Sequence, residues 1–115
     1  MDTFYDMIDP DADPGAIDVI AEVTMFAEKE GGRHTPFFTG YSPNHNFGEA
    51  DNRSMYVGRI YLDNGDSVAP GEKKEVRIRF LNAGDLEELL TPRREWRIQE
   101  GLRLVGKGTV KTIMT

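Results

Sequence analysis

Apolar and polar residues alternate along most of this chain, which is the pattern of half-buried β-strands. The alternation is clearest in residues 17–25 and 74–81, where apolar side chains fall at every second position. Shorter alternating or apolar runs lie at 44–47, 55–62, 96–99 and 102–113. Turn-forming residues separate the six segments, and no crossover helix is predicted between them. We therefore predict an all-β protein built from six antiparallel strands, as a barrel or a sandwich.

Two stretches depart from the alternation. Residues 85–90 read Asp-Leu-Glu-Glu-Leu-Leu, and the three- and four-residue spacing of the leucines predicts a short helical turn, which Pro92 ends. In the last predicted strand, Gly106 and Gly108 interrupt a face that also holds Leu104 and Val110. Glycines inside a strand indicate a bend or the close approach of another backbone, as at the corner of a barrel.

An acidic leader precedes the first predicted strand. Residues 9–15 read Asp-Pro-Asp-Ala-Asp-Pro-Gly, which is too acidic and too often interrupted for a helix or a central strand. We predict that residues 1–16 form a flexible leader. Residues 17–115 are then one folded domain, as expected for a chain of 115 residues.

Charge and composition limit the chemistry that this chain can perform. Acidic residues number 20 against 14 basic residues, and the formal charge of −6 opposes non-specific attraction to nucleic acid. There is no cysteine, so disulfides and thiolate metal sites are excluded. The two histidines, His34 and His45, lack the spacing of metal ligands, and no serine lies in a nucleophile motif. We expect no metal, no cofactor and no catalytic residue.

Targeting and nucleotide-binding motifs are also missing from the sequence. The N-terminus lacks the basic segment and apolar core of a signal peptide, and no apolar run reaches the length of a membrane span. The Gly-x-x-x-x-Gly-Lys-Ser/Thr loop that cradles phosphates is absent. We therefore expect a cytoplasmic protein with no membrane partner and no nucleotide.

The most distinctive sequence is the signature loop, residues 30–41. Its Gly-Gly-Arg-His-Thr-Pro-Phe-Phe at 31–38, followed by Gly40, Tyr41 and Pro43, resembles the start of the third domain of the bacterial translation factor elongation factor Tu. Residues 96–113, the closing hairpin, resemble the end of that domain through Glu-Gly at 100–101 and the glycines after it. The resemblance also includes the Pro-Gly-acid turn at 70–72 and spans 17–113. It implies a six-stranded antiparallel Greek-key barrel.

The resemblance also implies a binding role. In the elongation factors this domain contacts the GTPase domain, the nucleotide-exchange factor and the T-stem backbone of aminoacyl-tRNA. The tRNA contact carries over to five residues of this chain: Arg33, His34, Asn44, Glu100 and Gly101. We predict a non-catalytic module that engages a protein partner of, or related to, the translation machinery. The alternative is a tRNA-binding barrel.

Three departures from the family pattern weigh against tRNA. Val57 lies where a threonine that touches RNA is expected, Gln99 replaces an arginine, and Asn82 lies where some members have a basic residue. Each change removes a donor or a charge. For Arg33 and His34 a structural role stays open, in which the arginine bonds carbonyls or a carboxylate and the histidine packs on an aromatic ring of the signature loop.

Several arginines suggest a second surface. A basic patch would form if the fold brought together Arg77, Arg79, Arg97 and Arg103, with Arg93 and Arg94 beside them. Such a patch would receive an acidic protein surface or a nucleic-acid backbone. In the alternative, which we favour, these arginines pair across strands with Glu75, Glu95 and Glu100.

Overall fold

Six antiparallel strands close into a barrel in the computed structural model, which describes residues 9–114. The barrel strands are β1 (Ile17–Met25), β3 (Asn44–Asn46), β4 (Tyr56–Tyr61), β6 (Lys73–Phe80), β7 (Glu95–Glu100) and β8 (Arg103–Met114). Around the barrel their order is β1, β6, β4, β3, β7, β8. Among the barrel strands, β3, β4 and β6 follow one another along the chain and are neighbours in the barrel, and β1, which precedes them, lies beside β6. This arrangement is a Greek key. The predicted all-β barrel of six antiparallel strands is confirmed.

Short elements connect the barrel strands. The strands β2 (Phe37–Phe38) and β5 (Ser67–Val68) pair with each other outside the barrel. The helix α1 (Leu86–Leu89) confirms the helical turn predicted near residues 85–90, and Leu86 and Leu90 are buried beneath it. Within residues 9–114, none of the helices has the length and apolar character needed to cross a membrane.

The barrel is filled by the apolar residues of the alternating pattern. β1 and β6 pair over eight residues in register, and their inward side chains are buried: Val19, Ala21, Val23, Met25, Val76, Ile78 and Phe80. An aromatic cluster closes the core, where the ring of Phe47 stacks on Trp96 with a centroid distance of 5.1 Å. Burying one such side chain stabilises the fold by about 1.5 to 3 kcal/mol.

The alternation breaks where β8 pairs with β7. Ile98 pairs with Gly106. The next residue, Gln99, pairs with Leu104, so Val105 is left over as a β-bulge. Because the bulge shifts the faces of the strand, Val105 and Gly106 are both buried, and Gln99 is buried although the alternation predicts that it faces outward.

The described part of the acidic leader, residues 9–16, lies against the barrel. It contains one turn of 3₁₀ helix at Pro10–Ala12, in which Pro10 is buried. The structure therefore differs here from the flexible leader that composition predicts. The reason is that the partners of its aspartates, Arg59 and Arg79, are brought beside it by strands far along the chain. Residues 1–8 lie outside the described residues, and there the flexible leader stays a prediction.

Candidate binding surface

The backbone of the signature loop requires its two glycines. A 3₁₀ turn at Glu28–Glu30 ends at Gly31, whose φ of 96° is the left-handed conformation that residues with a side chain rarely adopt. At Gly32, a methyl group would overlap the carbonyl of Phe26. The glycine pair is therefore explained by the path of the chain, without a ligand.

One carboxylate joins the signature loop to the closing hairpin. The guanidinium of Arg33 forms an ion pair with Oε2 of Glu100, and the hydroxyl of Tyr41 donates to the same oxygen at 2.6 Å. The guanidinium carbon also lies 4.7 Å from the centre of the Tyr41 ring, at cation–π distance. Tyr41 in turn stacks on Phe37 with a centroid distance of 4.5 Å. Two segments distant in sequence thus become one surface.

The protonation of this cluster follows from its contacts. Burial disfavours the charge on Glu100, but the hydrogen bond from Tyr41 and the charge of Arg33 outweigh it, and the pKa of Glu100 lies below its usual value. Burial and the neighbouring carboxylate raise the pKa of Tyr41. The carboxylate is therefore ionised and the phenol protonated at neutral pH, which is the pair of states that the hydrogen bond requires.

A second contact fixes the loop on the hairpin. Arg103, from β8, donates from Nε to the carbonyl of Gly31 at 3.2 Å and from Nη2 to the carbonyl of Gly32. Arg33 also bonds within its own loop, from Nε to the carbonyl of Thr35 at 3.2 Å. Arg33 thus bonds both a carbonyl and a neighbouring carboxylate, which are the contacts of the structural role that stayed open for it in the sequence.

The remaining residues of the predicted site lie around this cluster. His34 is exposed, and its Nδ1 lies 2.8 Å from a carboxylate oxygen of Glu28. Asn44 is exposed on β3 and pairs with Gln99, the neighbour of Glu100. Gly101 is exposed in the turn between β7 and β8. The fold thus gathers the five residues carried over from the family at one end of the barrel.

The fold does not unite the predicted basic patch. Arg77 and Arg79 lie on β6 and Arg97 lies on β7, and these strands are not neighbours in the barrel. Arg79 bonds the carboxylate of Asp18 through Nε at 2.8 Å and Nη2 at 3.0 Å. Arg103 is held by the signature loop. The arginines are therefore spread around the barrel, because β4 and β3 lie between β6 and β7 in the strand order.

The acidic partners also differ from those expected for these arginines. Glu75 pairs with Lys111 at 3.1 Å, and Glu95 lies 3.9 Å from Lys107. The third expected partner, Glu100, pairs with Arg33 in the signature loop. Cross-strand pairing of charges is thus present, but the sequence did not identify the partners.

His45 has a structural role in the core, whereas from the sequence only a role as a metal ligand was weighed for it. Its side chain is fully buried, its Nδ1 accepts from Nε1 of Trp96 at 2.9 Å, and its Nε2 lies 2.9 Å from the carbonyl of Gly58. Since Trp96 can only donate, Nε2 carries the proton and donates to Gly58. Burial lowers the pKa of His45 to about 4. Among residues 9–114, no three or more His, Cys, Asp or Glu residues cluster to hold a metal ion.

A buried amide network supports the hairpin turn, and no pattern in the sequence predicts it. Gln99 is 1 % exposed, its Oε1 accepts from Nδ2 of Asn46 at 2.8 Å, and its Nε2 donates to the carbonyl of Gly101 at 3.1 Å. Oδ1 of Asn46 accepts from Nδ2 of Asn52 at 2.8 Å. These bonds tie the loop after β3 to the turn that follows Glu100. Gln99 therefore positions the surface from below.

Residues 15–114 match the family described as the elongation factor Tu C-terminal domain. The match includes the signature loop and the closing hairpin, and the closed six-stranded barrel is consistent with the family. The chain belongs to the elongation factor Tu C-terminal domain family and is a translation-related β-barrel module.

Proposed function

We propose that this chain is a non-catalytic binding module that engages a protein partner of, or related to, the translation machinery. The binding site is the loop–hairpin surface, made of the signature loop and the turn at residues 100–103. The observation that carries the proposal is the carboxylate of Glu100, which Arg33 and Tyr41 share across the two segments. A surface held in one shape before binding loses little conformational freedom when a partner arrives.

Exposed apolar side chains on the same two segments favour a protein partner. Phe38 is 60 % exposed in the signature loop, and Leu102 is 65 % exposed in the turn between β7 and β8. Large apolar and aromatic side chains are the usual anchors of protein–protein interfaces. His34 is also exposed, and its ring offers both an apolar face and a polar edge.

Charge disfavours the tRNA-binding alternative. The positive charge of Arg33 is already neutralised by Glu100, and the whole chain carries a formal charge of −6. An RNA backbone needs unpaired cations to replace its counterions. His34 and Asn44 are exposed and could donate to a phosphate or ribose, but two such donors add little electrostatic attraction. A protein partner is therefore our first choice.

The non-catalytic part of the proposal rests on the family. The corresponding domain of elongation factor Tu is non-catalytic, and residues 15–114 of this chain match its family. In this chain the side chains of Arg33, Tyr41 and Glu100 on the loop–hairpin surface are engaged with one another. They serve to hold a shape.

Capture from a bacterial translation extract tests the proposal. The immobilised full chain is compared with a triple variant, His34→Ala/Phe38→Ala/Leu102→Ala, whose changes are all exposed. The control is Glu88→Ala, which is exposed on α1, before β7 starts and thus away from the Glu100 end of that strand. We expect a translation protein to be retained by the wild type and the control, and about tenfold less by the triple variant.

Two results decide against the proposal. One is the retention of no translation protein by the wild type, and the other is equal retention by the triple variant. Nuclease treatment distinguishes the tRNA-binding alternative from the proposal. If untreated samples contain tRNA and all retained protein is lost after treatment, the result points to an RNA-binding barrel.

A further inference from the structure

Two arginines stand directly opposite each other on the outside of the barrel. Arg59 on β4 pairs with Arg79 on β6, and the next outward pair is Tyr61 with Arg77. Like charges that face each other across a strand pair destabilise it unless an anion lies between them. We call Arg59, Tyr61 and Arg79 the acceptor face.

The chain's own leader supplies that anion. Oδ2 of Asp11 accepts from Nη1 of Arg59 at 2.9 Å and from the hydroxyl of Tyr61, and its Oδ1 accepts from Nη1 of Arg79 at 3.0 Å. Asp9 adds a second carboxylate, whose Oδ1 lies 2.8 Å from Nη1 of Arg59. One carboxylate is thus held by three side chains from two strands.

The contacts repeat at every second residue of the leader. Asp9 and Asp11 contact the acceptor face, and Oδ2 of Asp13 accepts the backbone N–H of Asn82 at 3.0 Å, just beyond the end of β6. A linear motif, Asp-x-Asp-x-Asp, is therefore read by donors at fixed positions on the barrel. Residues 9–13 also lie outside the part of the chain that matches the family, which begins at residue 15.

The leader is held in a way that permits exchange. Its backbone hydrogen bonds from Ala12 to Asp9 and from Asp13 to Pro10 are internal to the segment. The carboxylates of Asp9 and Asp11 remain 34 % and 39 % exposed, so water and a competing ligand can reach them. Displacing the segment therefore leaves the barrel strands paired.

We propose that the acceptor face is a docking site for an acidic segment of a partner protein with aspartates at alternate positions, and that residues 9–13 occupy it in cis as an internal competitor. The partner chemistry follows from the occupant, since the groups seated there are carboxylates at a two-residue spacing. Asp18, which bonds Arg79 at 2.8 Å, already neutralises part of the face. The remaining charge suits one or two carboxylates and not a run of phosphates.

Fluorescence anisotropy with a labelled peptide tests this site in the full chain. The probe is the peptide of residues 6–16, Asp-Met-Ile-Asp-Pro-Asp-Ala-Asp-Pro-Gly-Ala, and the control peptide has asparagine for the aspartates at 9, 11 and 13. The variant Asp9→Asn/Asp11→Asn/Asp13→Asn vacates the acceptor face. We expect it to bind the acidic probe about tenfold more tightly than the wild type does. Adding Arg59→Ala/Arg79→Ala should abolish that binding.

Three outcomes would overturn the proposal. The first is that the wild type and the folded Asn variant bind the acidic probe equally. The second is that the acidic and control peptides bind equally. The third is that a labelled oligouridine binds more tightly than the acidic probe. Circular dichroism checks that each variant is folded. If the triple variant unfolds, Asp11→Asn alone replaces it, and the same outcomes decide.

Discussion

Arg33 and Glu100 are 67 residues apart in sequence and form an ion pair between the signature loop and the closing hairpin. Their side chains are 20 % and 34 % exposed, and the hydroxyl of Tyr41 shares the carboxylate. The pair makes one surface out of two segments that no local contact would join. The proposed binding function depends on this surface keeping its shape.

A double-mutant cycle should detect the coupling of this pair. We expect Arg33→Ala and Glu100→Ala to be less destabilising together than the sum of the single changes, with a coupling free energy of about 0.5 to 1 kcal/mol in urea unfolding. The control cycle uses Lys107 and Glu95, whose atoms lie 3.9 Å apart and whose side chains are 49 % and 63 % exposed. A coupling for the first pair no larger than for the control would contradict the structure.

His45 should make the protein sensitive to mild acid. Its pKa is about 4 in the folded state, below the ordinary 6.5, so the unfolded state binds the proton more readily. Its contribution to stability is complete above about pH 6.5 and is lost as the pH falls toward 4, by about 3 kcal/mol in total. Glu100, whose pKa is lowered, loses its contribution only at lower pH.

The variant His45→Asn separates this effect from others. Urea unfolding at intervals between about pH 4.5 and 6.5 should show a flatter pH dependence than the wild type, and a loss of about 1 to 3 kcal/mol at pH 7, because the carbonyl of Gly58 loses its donor. The matched control is His34→Asn, which changes the chain's other histidine. The assignment fails if His45→Asn keeps the wild-type slope.

The two glycines of β8 should not tolerate a side chain. A methyl group at Gly106 would lie 2.6 Å from the carbonyl oxygen of Thr24 on β1, and one at Gly108 would overlap the ring of Trp96. We expect Gly106→Ala and Gly108→Ala each to reduce the free energy of unfolding by about 1 to 3 kcal/mol. Gly15→Ala is the control, because its nearest neighbour lies at 3.5 Å. Thermal melts in which all three behave alike would refute the close approach.

The wild-type chain should not form a stable complex with aminoacyl-tRNA. A gel shift at low salt should show no band at micromolar protein, because Arg33 is paired and the net charge is −6. A complex that weakens steeply with added salt and with Arg33→Ala would instead support the RNA-binding alternative.

Much of the barrel could be predicted because local pattern and burial agree. Buried and less buried residues alternate in β1 and β6, since each strand has one face in the core. The two strands also pair with each other in one unbroken register. β8 could not be predicted as well, because the bulge at Val105 depends on its register with β7. A single sequence carries no direct record of which strand lies beside which.

The candidate site was predicted in part. The resemblance to the family pointed to Arg33 and Glu100, but the ion pair between them and the role of Tyr41 needed coordinates. From the sequence Gln99 is expected to face outward and His45 has no assigned structural role, because a buried polar residue is recognised by its partners, which lie 53 and 51 residues away. The contacts of the acidic leader were missed for the same reason.

Site-specific photo-crosslinking tests the central claim most directly. A benzoylphenylalanine is placed at Leu102 on the loop–hairpin surface, or at Glu88 on α1 as the control, and each protein is irradiated in a bacterial translation extract. The account predicts a crosslink to a translation protein from position 102, resistant to nuclease and absent from position 88. Crosslinks to RNA alone, none to any translation protein, or the same product from both positions would contradict it.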